Sequence, residues 1–207
     1  MPTAIALLRG VNVGSSRSLP MDLLRELCAD AGMEEARTYI QSGNVVFRAP
    51  TRNVTAAAER LESAIERRRG FRPDVVVRTA AELRAALAAN PFAEFAVKDP
   101  AHLVVLFCKG SPTAAAKAAL EALPRGRERV RLVGREVFVA YPDGIGRSKL
   151  TMGSIERALG VPATGRNCRT LSAILAMAEV APDAVDQRSV RGARPVNRRR
   201  PGDRRGR

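Results

Sequence analysis

The sequence contains no tryptophan and only one histidine, His102, and aromatic residues make up 4% of its 207 residues. With a single histidine, neither a histidine-based catalytic triad nor a histidine metal cluster is expected. The low aromatic content argues against a surface on which the bases of a nucleic acid stack. Any catalysis would therefore depend on tyrosine, lysine, arginine and amide groups, or on a metal held through water. The sequence identifies no cofactor and does not decide whether the protein is an enzyme.

Disulfide bonds, zinc sites and membrane spans are also not expected. The three cysteines, Cys28, Cys108 and Cys168, leave one unpaired in any disulfide scheme, and their spacing does not match a zinc site. No apolar run approaches the ~20 residues that span a bilayer. Residues 1–8 carry no basic residue ahead of their apolar run, unlike a signal peptide. We expect a cytoplasmic protein with reduced thiols, no metal and no membrane partner.

Positive charge is abundant and unevenly distributed. Of the net charge of +14, residues 183–207 contribute +6, from nine arginines and three aspartates. Because apolar periodicity ends near Ala181, residues 181–207 are predicted to be a disordered basic tail. The rest of the chain carries +8, which permits binding of a polyanion such as a nucleic acid without establishing it.

Residues 39–47 contain two short β-prone runs joined at Ser42-Gly43, which is typical of a hairpin with a two-residue turn. In that register Gln41 faces Asn44, and Ile40 faces Val45. The two faces of the hairpin would differ, with Ile40, Val45 and Phe47 in the core and Tyr39, Gln41 and Asn44 on a polar face. Buried strands do not need glutamine and asparagine, so the polar face is a candidate functional surface.

The apolar periodicity of residues 1–78 predicts the order β-α-β-β-α-β, the split βαβ pattern of ferredoxin-like folds. Helices are predicted from Pro20 to Gly32 and from Asn53 to Gly70. The predicted strands are 5–8, 36–41, 44–48 and 74–78. A capping box at residues 79–82 begins a connecting helix that ends at Asn90-Pro91, so residues 79–100 are predicted to be a helix and linker.

Residues 101–180 are predicted to repeat this pattern less regularly. Strands are expected at 103–108, 130–133 and 136–140, and helices at 111–122, 149–159 and 168–179. A final strand is not evident, since residues 161–164 are a poor candidate. The predicted fold is α+β, with two ferredoxin-like subdomains built on antiparallel sheets, a connecting helix and a C-terminal helix.

Several segments closely resemble a widespread bacterial family known only as a domain of unknown function. They are Leu-Leu-Arg-Gly-Val-Asn-Val-Gly at 7–14, Thr-Tyr-Ile-Gln-Ser-Gly-Asn-Val-Val-Phe at 38–47, Asn-Pro-Phe at 90–92, and Thr-Gly-Arg-Asn-Cys-Arg-Thr at 164–170. The resemblance implies two ferredoxin-like subdomains and no established activity. Two departures stand out: Ser15-Ser16-Arg17 replaces the usual glycine and lysine, and Cys168 replaces a common aromatic residue. A ligand that stacked on that ring would lose its platform.

The loop at residues 10–18 is the first candidate anion site. It leads from a strand into a helix, and the free N–H groups of helix N-termini attract anions. Arg9 and Arg17 would add charge, and Asn12 and Gly14 lie within the loop. In the alternative interpretation the loop is structural and Asn12 braces a turn.

The glycine-rich segment 144–149 is the second candidate, since Arg147, Ser148 and Lys149 precede a helix and could hold a phosphate. The alternative is a turn in which Ser148 caps the helix. Arg166 and Asn167 are the third candidate, because arginine binds carboxylates and phosphates in a fork. Asn167 by itself is better explained as an N-cap.

These residues give two hypotheses for the function. In the first, the protein binds a small anionic ligand through a set of ten residues: Arg9, Asn12, Gly14, Tyr39, Gln41, Ser42, Asn44, Lys149, Arg166 and Asn167. In the second, it is a nucleic-acid-binding accessory protein that uses its basic body and tail. The sequence leaves open the oligomeric state, and whether the hairpin turn and the first loop share one end of a sheet.

Overall fold

The first four strands form an antiparallel sheet in the order β2-β3-β1-β4. In this computed structural model, which describes residues 1–14 and 16–180, these strands alternate with two helices. The elements are β1 (Thr3–Leu8), α1 (Met21–Asp30), β2 (Glu34–Tyr39), β3 (Asn44–Arg48), α2 (Val54–Arg69) and β4 (Val75–Thr79). The β-α-β-β-α-β prediction for this part is confirmed, while the predicted tail, residues 181–207, lies outside the described residues.

The second sheet has the same topology, with the order β6-β7-β5-β8. Its elements are β5 (Leu103–Cys108), α5 (Ala116–Glu121), β6 (Arg129–Val133), β7 (Glu136–Ala140), α6 (Met152–Leu159) and β8 (Ala163–Asn167). Helices α3 (Ala80–Ala88) and α4 (Ala93–Lys98) connect the two sheets, and α7 (Cys168–Glu179) is the C-terminal helix. The α+β fold with two ferredoxin-like subdomains is therefore confirmed.

The final strand, β8, is a correction to the sequence prediction. It pairs antiparallel with β5, with Val104 opposite Asn167 and Cys108 opposite Ala163. Glycine and asparagine in this strand have low intrinsic β propensity, and an edge strand needs hydrogen bonds on one side only. Pairing with the apolar strand β5 therefore decides its structure.

The central strands β1 and β5 are apolar on both faces because each is buried on both faces. In β1, Ala4, Ala6 and Leu8 pack against α1 and α2, whereas Ile5 and Leu7 point into a core shared by the two sheets. That shared core also contains Val105 and Phe107 of β5, together with side chains of α3 and α7. A third core lies between the second sheet and helices α5 and α6.

The β2–β3 hairpin differs from its prediction because its loop contains four residues, Ile40 to Gly43. Tyr39 is opposite Asn44, and Thr38 is opposite Val45. Val45 and Phe47 are buried as predicted, but Ile40 is 53% exposed and has a φ of 48°. The side-chain amide of Asn44 donates to Tyr39 O at 3.0 Å and to Ser42 Oγ at 2.9 Å. These bonds stabilise the wider loop and move Ile40 out of the core.

Several helix ends also differ from their predictions. The capping box of Thr79 and Glu82 is present, but Thr151, not Ser148, caps α6, which begins at Met152. Helix α5 begins at Ala116, later than predicted, and Asn53 makes no side-chain capping bond. No helix among the described residues has the length and apolar character to cross a membrane. In the same part of the chain, no group of three or more metal-binding side chains occurs.

Candidate functional site

The loop after β1 and the β2–β3 hairpin loop lie at the same end of the first sheet. Because β1 and β3 are antiparallel, the end of β1 is next to the start of β3, and Leu7 is opposite Asn44. The backbone N–H of Leu8 donates to Gly43 O at 2.8 Å. The two motif segments 7–14 and 38–47 therefore meet.

Asn12 joins these two loops through its side chain. Its amide donates to Gln41 O at 2.7 Å and to Leu19 O at 3.0 Å, and its Oδ1 accepts from Leu19 N at 2.7 Å. Its φ is 55°, in the left-handed region, which asparagine tolerates better than most residues. Gly14, with a φ of 67°, lies further along the same loop. These contacts support the alternative interpretation of the loop, in which Asn12 braces a turn.

Arg166 lies on β8 and reaches across to the first sheet. Its five N–H donors all have acceptors within hydrogen-bonding distance, and none of these acceptors is a carboxylate. Nε donates to Asn44 Oδ1, Nη1 to Thr164 Oγ1 and Gly165 O, and Nη2 to Leu8 O and Ser42 O. Burial lowers the pKa of Arg166 to about 10. Since every donor is used within the protein, Arg166 has none left for a ligand.

We call Arg166 and the groups to which it donates the Arg166 cluster. The other hairpin residues of the predicted set are divided between this cluster and the surface. Asn44 is fully buried and has both its amide donors and its carbonyl oxygen engaged. Ser42 accepts from Arg166 through its backbone and from Asn44 through its hydroxyl. Tyr39 packs, partly buried, against the shared core. The side chain of Gln41 is exposed, and only its backbone oxygen contributes, by accepting from Asn12.

Arg9 also contacts the second sheet's subdomain. Its Nε and Nη2 donate to the two carboxylate oxygens of Glu156 at 2.7 Å each. Asp74 lies 3.6 Å from Nη1. The hydrogen bond to Glu156 raises the pKa of Arg9, as do the charges of Glu156 and Asp74. The guanidinium is therefore paired on two sides and, like Arg166, connects the two subdomains.

Asn167 caps a helix, which is the structural role that the sequence favoured for it. Its Oδ1 accepts from Thr170 N at 2.8 Å, which is the N-cap of α7. The neighbouring Cys168 is buried, and burial raises the pKa of its thiol to about 11. The thiol of Cys168 is therefore packed in the core and protonated at neutral pH.

Lys149 lies elsewhere, in a cleft of about 400 Å³ between residues 124–128 and residues 143–149. We call this the basic cleft. Four basic and two acidic residues line it, giving a net charge of +2: Arg125, Arg127, Arg147, Lys149, Glu128 and Asp143. Apart from Pro124, no large apolar side chain lines the basic cleft, so its character is set by charge.

Some charged groups of the basic cleft are already paired. Arg127 forms an ion pair with Asp143 at 2.8 Å. Glu128 accepts from Ser148 Oγ and, at 2.6 Å, from Gly126 N, and the bond from Ser148 lowers the pKa of Glu128. Arg125 donates to two backbone carbonyls at the end of α5, at 2.9 Å each. Its charge is consequently not neutralised by a carboxylate.

Lys149 differs from Arg9 and Arg166, the other basic residues of the predicted set, and its neighbour Arg147 shares this difference. Both are exposed, and neither forms an ion pair or a side-chain hydrogen bond with another described residue. The sequence predicted segment 144–149 as a candidate but gave no prediction for Arg125 and Arg127. The available signal was the run Arg-Gly-Arg-Glu-Arg at 125–129, which alternates arginine with other residues directly before an edge strand.

Comparison with known proteins supports the fold and names a family. The chain superimposes with a TM-score of 0.64 on the structure of the conserved bacterial protein SP0830 from Streptococcus pneumoniae. The two sequences are 24% identical, and the match covers 87% of this chain and 99% of the other. No curated protein matches the chain. The family model described as protein of unknown function (DUF1697) matches residues 1–138. The chain therefore belongs to that family.

Proposed function

We propose that this DUF1697 protein binds a small ligand bearing a phosphate or carboxylate group in the basic cleft. The observation that carries the proposal is the pair Arg147 and Lys149, two cations at one cleft without a partner among the described residues. Cations that lack an internal partner remain available to an external anion, whereas the guanidinium groups of Arg9 and Arg166 are engaged within the protein.

The volume and lining of the basic cleft agree with a small anionic ligand. A cleft of about 400 Å³ is within the range of small-molecule sites. Arginine offers a planar fork that matches a carboxylate or phosphate, and lysine adds a compact charge on a flexible stem. Gly144, with a φ of 82°, gives the loop a backbone conformation that leads into the short 3-10 turn of residues 145–147.

The test is a titration of the full chain with orthophosphate and with citrate. Calorimetry and thermal unfolding measure the binding. A ligand at ~100 times its Kd adds ~2.7 kcal/mol to the free energy of unfolding. The double substitution Arg147→Ala with Lys149→Ala should abolish binding of the anion that the wild type binds. Binding that is unchanged in this variant would overturn the proposal.

A matched control removes the same charge from other places. Arg52 and Lys117 are also exposed, and neither has an ion pair or a side-chain hydrogen bond within residues 1–14 and 16–180. The double substitution Arg52→Ala with Lys117→Ala should leave anion binding as in the wild type. An equal loss in both double variants would mean that net charge, and not the basic cleft, attracts the anion.

A further inference from the structure

The basic cleft lies at one end of the second sheet, where β5 and β6 begin and β7 and β8 end. The register places Arg129 and Leu103 on either side of Ala140, and Val104 opposite Asn167. The four strands therefore present their ends in the order β6, β7, β5, β8 along one row. With neighbouring strands ~4.8 Å apart, this row is ~14 Å wide.

Basic side chains occur along this whole row and not only in the basic cleft. Arg129 begins β6, and its guanidinium carbon lies 4.8 Å from the ring centroid of Phe92. At the other side, Arg169 follows β8, and its backbone N–H donates to Pro100 O at 3.2 Å. Lys98 ends α4, close in sequence to Pro100. All three side chains are exposed.

The acidic residues of this end are already engaged. The segments 98–102, 124–129, 141–149 and 167–169 contain seven basic and three acidic residues, a net charge of +4 with His102 neutral. Asp99 bonds to His102 Nδ1 at 2.6 Å, Asp143 pairs with Arg127, and Glu128 accepts from Ser148 and Gly126. The excess positive charge is therefore not balanced locally.

The opposite end of the second sheet has a different charge pattern. There the charged side chains form ion pairs with the first subdomain and with α3: Arg78 with Glu136 at 2.9 Å, Arg135 with Glu82 at 3.2 Å, and Lys109 with Glu62 at 2.6 Å. A general excess of arginine would leave both ends similarly charged. The contrast marks the row at the start of β5 and β6 as a distinct surface.

We infer that this row binds the phosphate backbone of a single-stranded nucleic acid, with one phosphate held in the basic cleft. The inference rests on the proposed function for that one phosphate and adds contacts at Arg129 and Arg169. A width of ~14 Å accommodates only a few consecutive phosphates. Helix α7 begins at the β8 side of this row, but it packs into the shared core and is not free to enter a duplex groove.

Recognition on this surface is by charge and not by base identity. Phe92 is buried, and the guanidinium of Arg129 lies over the rings of both Phe92 and Phe95. Phe92 also belongs to the shared core and Phe95 packs against it, so we expect no base to stack on these rings. Binding should be similar for DNA and RNA strands of the same length and should fall steeply with salt concentration.

The test measures fluorescence anisotropy of labelled oligothymidylate and oligouridylate with the full chain, over about 50 to 200 mM salt. Each phosphate contact to a single strand contributes ~0.7 to the slope of log affinity against log salt. Arg129→Gln with Arg169→Gln keeps most of each stem and removes two contacts, so the slope should decrease by ~1.4. The Arg52→Ala with Lys117→Ala control should retain the wild-type slope, and the tail is the same in all these proteins.

The outcomes separate this inference from the proposed function. Orthophosphate binding should be unchanged in Arg129→Gln with Arg169→Gln, because neither residue lines the basic cleft. If orthophosphate binds in the cleft but the oligonucleotide slope is the same in this variant and the wild type, the nucleic-acid inference is wrong and the proposed function stands. A duplex that binds more tightly than the single strands would also overturn the inference. Unfolding temperatures equal to the wild type would verify that both variants are folded.

Discussion

Arg166 donates through Nε to the side-chain carbonyl of Asn44, a residue 122 positions earlier in the chain and on the other sheet. Both residues belong to motif segments that the sequence singled out as a candidate ligand site. Their contacts instead connect β8 to the end of β1 and to the β2–β3 hairpin loop. A buried guanidinium with only neutral acceptors is stable because all five of its donors are satisfied.

Asn44→Ala should therefore destabilise the protein by about 2–4 kcal/mol, because it leaves a donor of Arg166 and the carbonyl of Tyr39 without their partner. Gln41→Ala, in the same loop but with an exposed side chain, should change the free energy of unfolding by less than about 0.5 kcal/mol. Urea unfolding of the two variants measures this difference. Equal, small effects would show that the cluster is not structural.

Substitutions of Phe47 and Ile40 test the length of the β2–β3 hairpin loop. Phe47 is 1% exposed and Ile40 is 53% exposed, although a two-residue turn would place both in the core. Phe47→Ala should cost ~3–5 kcal/mol, whereas Ile40→Ala should have an effect near zero. Chemical denaturation again provides the measurement. A large cost at Ile40 would support the two-residue turn and contradict the four-residue loop.

The buried cysteines predict how stability depends on alkaline pH. Burial raises the pKa of Cys28 to about 12, from an ordinary value of 9.0. The protonated thiol of the folded state stabilises the protein fully below pH 9.0, and this contribution is lost as the pH rises towards 12. One pH unit above the ordinary value, the loss is ~1.4 kcal/mol for this residue.

Comparing wild type with Cys28→Ala isolates that contribution, because the variant lacks the titrating thiol. The difference in unfolding free energy between them should change by ~1.4 kcal/mol between about pH 8 and pH 10, with the wild type losing more. Urea unfolding of both proteins at the two pH values measures this change. Parallel pH dependence in the two proteins would indicate that Cys28 is accessible to solvent.

Much of the fold follows from short-range patterns in the sequence. The apolar strands and the helix periodicity predicted the β-α-β-β-α-β order of residues 1–78. The capping box of Thr79 and Glu82 predicted the start of the connecting helix. Strand β8 was missed because its residues form a strand only by pairing with β5. The width of the hairpin loop was missed because it depends on the side-chain bonds of Asn44.

The candidate site was less predictable than the fold for a related reason. The motif residues Arg9, Asn44 and Arg166 are polar because they pair with groups that are distant in sequence, and such partners are not visible in the pattern. Arg125 and Arg127 line the same cleft as Lys149 only because two loops of the second subdomain come together. Charge alone did not distinguish these arginines from the many others.

We propose that Asn44 and Arg166 are structural residues and that the basic cleft binds the ligand, and substitutions of Gln41 and Lys149 distinguish the two places. Both belonged to one predicted site, but they lie in different places, Gln41 beside the cluster and Lys149 in the basic cleft. The most direct measurement is calorimetric titration of orthophosphate into the wild type, Gln41→Ala, and Arg147→Ala with Lys149→Ala. We expect unchanged binding for Gln41→Ala and no binding for the double variant. Loss of binding in Gln41→Ala with retention in the folded double variant would contradict it.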